Sequence, residues 1–365
     1  MNRLNARSLV TLLAAAALAW GATACSSDGG SNGKTKPPKT DTMEKDTMEK
    51  DTMQKDGMAK DGMEKDGGMP DGTTPDGQSP DGQSGGTTVK LTVDKFSPLG
   101  PGSYEGWLID GEGNPVSTGK FDVNSEGDLL GPNDEKLDNN KFSAESKVDS
   151  PQAFVVSVEP KNDDDPAPSN TKFVAGDFSD GSANLKVSAG DAVGTDFADA
   201  KAGYILATPT NGSGSNEKSG IWFLDNSGDS PKASISGVPD VSGSDDGWQW
   251  EGWVVFQKSG NPFPVSTGKF DDPASADNAA PYSGNMSGPG FPGEDFLNSP
   301  PSGLTFPTDL SGKKVVISLE PQPDSTDKPF ALKPITGDIP GDASDHTGYT
   351  ADTTPELPSG EATLQ

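Results

Sequence analysis

Past residue 90 the apolar positions come in short alternating runs, each bounded by clusters of Gly, Asn, Asp, Pro and Ser. No stretch there carries the 3.6-residue period of a helix, so the pattern predicts strands joined by turns. In "FVVSVEP" (154–160) Phe154, Val156 and Val158 fall on one face, with Ser157 and Glu159 on the other. "VVISLEP" (315–321) repeats the arrangement, setting Val315, Ile317 and Leu319 against Ser318 and Glu320. This is the alternation of a half-buried antiparallel strand. Pro160 and Pro321 lack the amide a ladder needs, so each strand is expected to stop there. "GYILATPT" (203–210) and "SGIWFLD" (219–225) flank "NGSGSNEK", whose turn chemistry predicts a hairpin.

Laid side by side, these runs form two copies of one pattern. "YEGWLI" (104–109) matches "WEGWVV" (250–255), and each is followed by an identical "PVSTGKFD", at 115–122 and 264–271. The two VEP-type strands come next, each followed by an acidic, Pro-rich turn, "KNDDDPAP" or "QPDSTDKP". "TKFVAGD" (171–177) then answers "FALKPITGD" (330–338), and "GSANL" (181–185) answers "GEATL" (360–364). Matched blocks in the same order mean an internal duplication. The fold class expected is all-β, with two β-sandwich-like lobes, at 90–190 and, with the hairpin, at 191–365. The core residues expected are Trp107, Ile109, Phe121, Val156, Val158, Trp222, Trp253, Val255, Phe270, Ile317 and Leu319. Trp107, Gly119 and Glu159 of the first copy and Trp253, Gly268 and Glu320 of the second mark the repeat.

"YEGWLIDGEGNPVSTGKFD" followed by "FVVSVEP…PAPSN" resembles the C-terminal, extracytoplasmic domain of the anti-sigma-K factors. The resemblance covers about 80 residues of the first lobe, with a divergent copy in the second. It implies a domain of that type. Anti-sigma activity is not carried over, because such factors have a cytoplasmic sigma-binding region and a transmembrane helix. Here an export signal and a spacer stand in their place.

That signal is legible at the N-terminus. Arg3 and Arg7 precede the apolar run "SLVTLLAAAALAWGA" (8–22), and "ATAC" (22–25) sets small residues directly before a cysteine. The layout is that of a secretory signal over 1–24, and its end resembles a bacterial lipobox, with Ala22 where Leu is more usual. In such signals the cysteine is acylated, so Cys25 is expected to anchor the chain to a bilayer at the outer membrane or cell surface. Cys25 is the only cysteine in the chain. No intramolecular disulfide can form, and stability has to come from burial.

Residues 25–89 read as a disordered linker. From Asp41 to Gly85 the chain runs in nine pentads, each opening with Asp. Five residues turn a helix by about 500°, which scatters the methionines around its axis. In a strand the odd period sends them to alternate faces. A coil of this length averages roughly 40–50 Å end to end, enough to hold a domain clear of a membrane. A second reading notes that Met43, Met48, Met53, Met58, Met63 and Met69 all lie here, and thioethers suit Cu(I).

The chain has 28 basic and 56 acidic residues. Removing Arg3 and Arg7 with the signal leaves 26 against 56. Such a surface repels nucleic acid, which is excluded as a partner; an envelope protein or a glycan is expected instead. The "GK" of the repeated block fails as a phosphate loop, because the glycine spacing is wrong and Phe121 or Phe270 follows the lysine. A scaffold role is expected for it, with Gly119 and Gly268 at a turn or bulge. His346 is the only histidine and stands in no motif, so His-based zinc sites and Ser/His/Asp triads are not expected. No cofactor and no catalytic residue is assigned. Glu105, Glu251, Glu159 and Glu320 recur in pairs, which favours a role in the fold over a hydrolase. Asp163, Asp164 and Asp165 in "NDDDP" are a weak calcium candidate. In "WQWEGW" (248–253) Trp248 and Trp250 share one face and Trp253 takes the other, so one face could stack on a glycan.

Overall fold

The structure is a computed structural model, and it describes residues 85–163, 165–212, 214–243, 247–324, 326–353 and 356–365. Cys25, the pentad repeat with its methionines, and Asp164 lie outside the described residues.

Among the described residues the chain is all-β, with sixteen strands of three or more residues. The first eight are β1 (Thr88–Asp94), β2 (Ser103–Ile109), β3 (Pro115–Val123), β4 (Lys141–Ser143), β5 (Ala153–Glu159), β6 (Lys172–Ser179), β7 (Ser182–Lys186) and β8 (Lys201–Leu206). The next eight are β9 (Gly220–Trp222), β10 (Trp248–Lys258), β11 (Asn261–Phe270), β12 (Gly293–Asp295), β13 (Lys314–Pro321), β14 (Ile335–Asp338), β15 (Tyr349–Thr353) and β16 (Ser359–Leu364). They make two large antiparallel sheets. The first runs β3-β2-β5-β6-β7-β16-β1-β4, and the second runs β11-β10-β13-β14-β15-β8-β9-β12.

Adding eight to each label of the first sheet reproduces the second in all but one place. At that place the last strands of the two repeats have changed sheets: β16 fills a slot in the first sheet, and β8 fills its equivalent in the second. The expected hairpin explains half of the exchange. Leu206 and Ile205 of β8 pair with Ile221 and Trp222 of β9, so the turn after β8 carries it out of its own repeat. The vacancy between β1 and β7 is then closed from the far end of the chain. Leu364 pairs with Val89 on one side of β16, and Ala362 pairs with Ala183 on the other. "GEATL" is therefore not the counterpart of "GSANL", as its pattern suggested, but its neighbour; residues 359–364 belong to the first sheet. The counterpart of "GEATL" is "AGYIL" in β8.

Each sheet curls until its ends approach. In the first lobe Phe121 of β3 meets Phe142 of β4, with ring centroids 5.3 Å apart, and Glu145 N donates to Ser117 O at 3.2 Å. A continuous apolar core then runs through both lobes. Phe173 of β6 contacts Trp248 of β10 and Phe330, joining them across the interface.

Nine of the eleven expected core residues are buried, while Ile109 and Val255 are only half-buried. The main core, however, is built from the opposite faces of β2 and β10: Tyr104 and Leu108 in one, Trp250, Val254 and Phe256 in the other. Trp107 packs in a small separate cluster with Val155 and Ala175. That cluster explains a second departure. The polar face of the VEP strands was expected to be solvated, yet Ser157, Glu159, Ser318 and Glu320 are all buried. A third departure is minor: β5 stops before Pro160 as expected, but β13 runs through Pro321. Trp248, Trp250 and Trp253 are all buried as well, so "WQWEGW" offers no stacking surface.

Candidate functional site

The identical block "PVSTGKFD" lies along the second strand of two equivalent hairpins. In β2–β3 the register passes from Gly106↔Gly119 to Trp107↔Ser117, leaving Thr118 as the extra residue of a bulge. In β10–β11 it passes from Gly252↔Gly268 to Trp253↔Ser266, leaving Thr267. Gly119 and Gly268 have φ of 106° and 116°, a region that side chains other than glycine's rarely enter. The bulge turns Ser117 and Ser266 so that each hydroxyl accepts from the glycine amide two residues on, at 3.1 and 3.0 Å. Each also donates to a glutamate across the hairpin, Ser117 to Glu105 and Ser266 to Glu251.

The lysine of each block points along the same face. Lys120 Nζ lies 3.1 Å from Asp163 Oδ2 and 3.8 Å from Glu105 Oε2. Lys269 Nζ lies 2.7 Å from Asp324 Oδ2 and 3.7 Å from Glu251 Oε2. A second carboxylate completes each centre. Trp107 Nε1 donates to Ser157 Oγ at 2.7 Å, and Ser157 donates in turn to Glu159. Trp253 Nε1 donates to Ser318 Oγ at 2.8 Å, and Ser318 donates to Glu320. Backbone amides of the following loops finish the job: Ser169 N on Glu159 and Phe330 N on Glu320, both at Oε1.

The repeat residues Trp107, Gly119, Glu159, Trp253, Gly268 and Glu320 are thus brought together, copy by copy, with Lys120 and Lys269 gripping carboxylates rather than a phosphate. Of the weak calcium candidates, Asp163 is taken up by Lys120. What sequence reasoning missed is Asp324, the equivalent of Asp163 in the second acidic turn. Its signal was the alignment of "KNDDDPAP" with "QPDSTDKP".

The copies differ in depth. Side-chain exposures are 37% for Lys120 and 12% for Asp163, against 23% and 3% for Lys269 and Asp324. Burial accordingly pushes Glu251 up to about 7 and Glu320 up to about 8, against the opposing pull of the serine donors. Among the described residues the buried carboxylate oxygens with no hydrogen-bond partner are Glu251 Oε2 and Glu320 Oε2, both in the second copy.

A different feature faces solvent on the second lobe. Val255, Phe256, Pro262, Pro264 and Leu304 floor a groove of about 1050 Å³ whose walls carry Lys313, Lys314, Lys328 and Lys333. Lys313 Nζ sits 5.3 Å from the centre of the Phe256 ring. Lys314 pairs with Asp338 at 2.8 Å, and Lys333 donates to Phe330 O at 2.9 Å. His346, exposed, pairs with Glu217 at 3.2 Å, apart from both features. Comparison with known proteins finds no family model, no curated protein and no solved structure that matches the chain.

Proposed function

We propose that this chain is a non-enzymatic lipoprotein of the bacterial envelope, anchored through acylated Cys25 and presenting two lobes of the anti-sigma-K C-terminal type as a binding module. The lysine groove of the second lobe is its binding face, and the ligand is acidic. The groove is the observation that carries this reading. Four lysines against a single carboxylate, Asp338, line one apolar-floored concavity in a chain whose formal net charge is −28. Against that background a local excess of positive charge attracts and orients an anion, and the apolar floor adds contact area. The repeated Lys–carboxylate centres support the non-enzymatic part, since their polar groups are mostly spent on one another.

The test is binding of anionic glycans and of acidic envelope components to the full chain, alongside a Lys313→Gln/Lys328→Gln/Lys333→Gln variant. Affinity is expected to fall at least tenfold in the variant and to weaken with salt in the parent. Equal binding by both proteins would overturn the assignment of the groove. Anchoring is tested separately: Cys25→Ala should move the chain from the membrane fraction to the soluble one.

A further inference from the structure

We propose that Glu251, Glu320 and Asp324 form a binding site for one calcium-class divalent cation, a site absent from the equivalent position of the first lobe. The three carboxylates each offer an oxygen within 4.8 Å of the others, a spacing suited to joint coordination of a hard cation by oxygen. Proximity alone would not distinguish a site from a solvated acidic cluster. What distinguishes it is that Glu320 is fully buried, with one oxygen held by Ser318 and the Phe330 amide and the other unpartnered. Glu251 repeats the arrangement, with Oε1 held by Ser266 and Oε2 unbonded toward Lys269. A buried carboxylate oxygen without a hydrogen bond is costly, and the chain carries two in one place. Of these, Glu251 Oε2 has the Lys269 ammonium 3.7 Å away, and Glu320 Oε2 has no ion pair among the described residues.

Lys269 offsets only part of the charge. With all three carboxylates ionised, as cation binding requires, they and one ammonium leave a net −2, which a divalent cation cancels. The ammonium is not locked in, because its side chain keeps 23% of its surface in water and can swing outward on its flexible stem. Lys333 also faces Glu320, but its ammonium is committed to Phe330 O. Space exists beside the cluster: a cavity of about 130 Å³ is lined by Glu320, Asp324, Gln322 and, from the first lobe, Glu159. That is room for several of the waters calcium retains at a protein site. Calcium fits better than magnesium, whose rigid octahedral demand the serine-pinned glutamates do not serve.

Terbium luminescence tests the proposal on the full chain. Trp253 is one hydroxyl away from Glu320 and so sensitises a lanthanide bound there. Expected are saturable emission with one equivalent, displacement by calcium, and at least tenfold weaker binding in Asp324→Asn and Glu320→Gln. Asp163→Asn, the matching change in the first lobe, leaves affinity unchanged, and Lys269→Met tightens it about tenfold. Asp324 lies on a loop, so its variant keeps the test usable if Glu320→Gln misfolds. No saturable emission, equal loss in Asp163→Asn, or no response to Asp324→Asn would each overturn the site.

Discussion

Ending the chain after Leu357 removes β16 and asks whether the exchanged strand holds the first lobe together. The strand pairs along six residues with β1 and along five with β7, so its loss opens the sheet in the middle rather than at an edge. Val89, Leu91 and Leu185 on those neighbours are essentially unexposed in the intact chain. Complete exposure of such a side chain costs about 1.5–3 kcal/mol. Uncovering roughly half of each gives about 2–4 kcal/mol for the three, before any loss of strand pairing. Repeat one cannot refill the gap, because its own last strand is held in the second sheet by β9 and β15.

For a folded unit made of both lobes together about 1 kcal/mol moves the melting midpoint by roughly 2–4 °C. Calorimetry should therefore show at least part of the unfolding endotherm shifted down by roughly 10 °C. The loss should be visible in near-ultraviolet circular dichroism, and proteases should cut within 88–186. A peptide spanning 356–365, added in excess, should restore the midpoint by strand addition. An unchanged midpoint in the truncated chain would refute the topology on which this reasoning rests, as would a peptide that protects only the second lobe.

Two further perturbations probe the packing. A methyl group at Gly252 would stand 2.3 Å from Thr267 Oγ1 and 3.0 Å from the Phe223 ring, so Gly252→Ala should destabilise by about 1–3 kcal/mol in urea unfolding; Gly111→Ala, which meets nothing within 4 Å, should be close to neutral, and equal effects would refute the close-approach argument. Burial pushes Asp277 and Glu294, which lie near one another in the second lobe, up to about 7. A carboxyl raised in this way stabilises the fold most below its unfolded value near 4, and that contribution is lost as pH rises through 7. At about 1.4 kcal/mol per pH unit the loss is roughly 4 kcal/mol for Asp277 and roughly 3 kcal/mol for Glu294. Asp277→Asn mimics the protonated form, so its stability relative to the parent should rise between pH 4.5 and 8, and a flat or falling difference would refute the burial argument.

The sequence made the all-β class and the duplication legible because both are written locally. Period-two alternation, prolines at strand ends and an eight-residue identity need no knowledge of distant partners. The glycines of "PVSTGKFD" were readable as bulge positions for the same reason. The buried polar centre was only half legible. Glu159 and Glu320 stood on what alternation marks as the outer face, and nothing local tells that Trp107 and Trp253 fold down over the intervening serines. Lys120 and Lys269 could be excluded from phosphate chemistry by spacing, but their nearest carboxylate partners, Asp163 and Asp324, come from loops more than forty residues away.

The exchange of β8 and β16 was not legible at all, and the reason is physical. A five- or six-residue strand with an alternating apolar inner face, such as "GSANL", "GEATL" or "AGYIL", fits any slot of matching register. Which slot it takes is decided by loop closure, and here the local connection 207–219 between β8 and β9 makes the crossing cheap and leaves a vacancy that the C-terminal strand fills. The same connection gives the duplication its consequence. Neither repeat contains a complete sheet, so the two lobes fold as one unit, with the shared core between Phe173, Trp248 and Phe330 closing the seam. A fused pair of this kind can let one copy drift while the other keeps the scaffold. The deeper carboxylate centre, with its two oxygens lacking hydrogen bonds, and the lysine groove both lie in the second copy, which makes it the half in which binding chemistry should be sought.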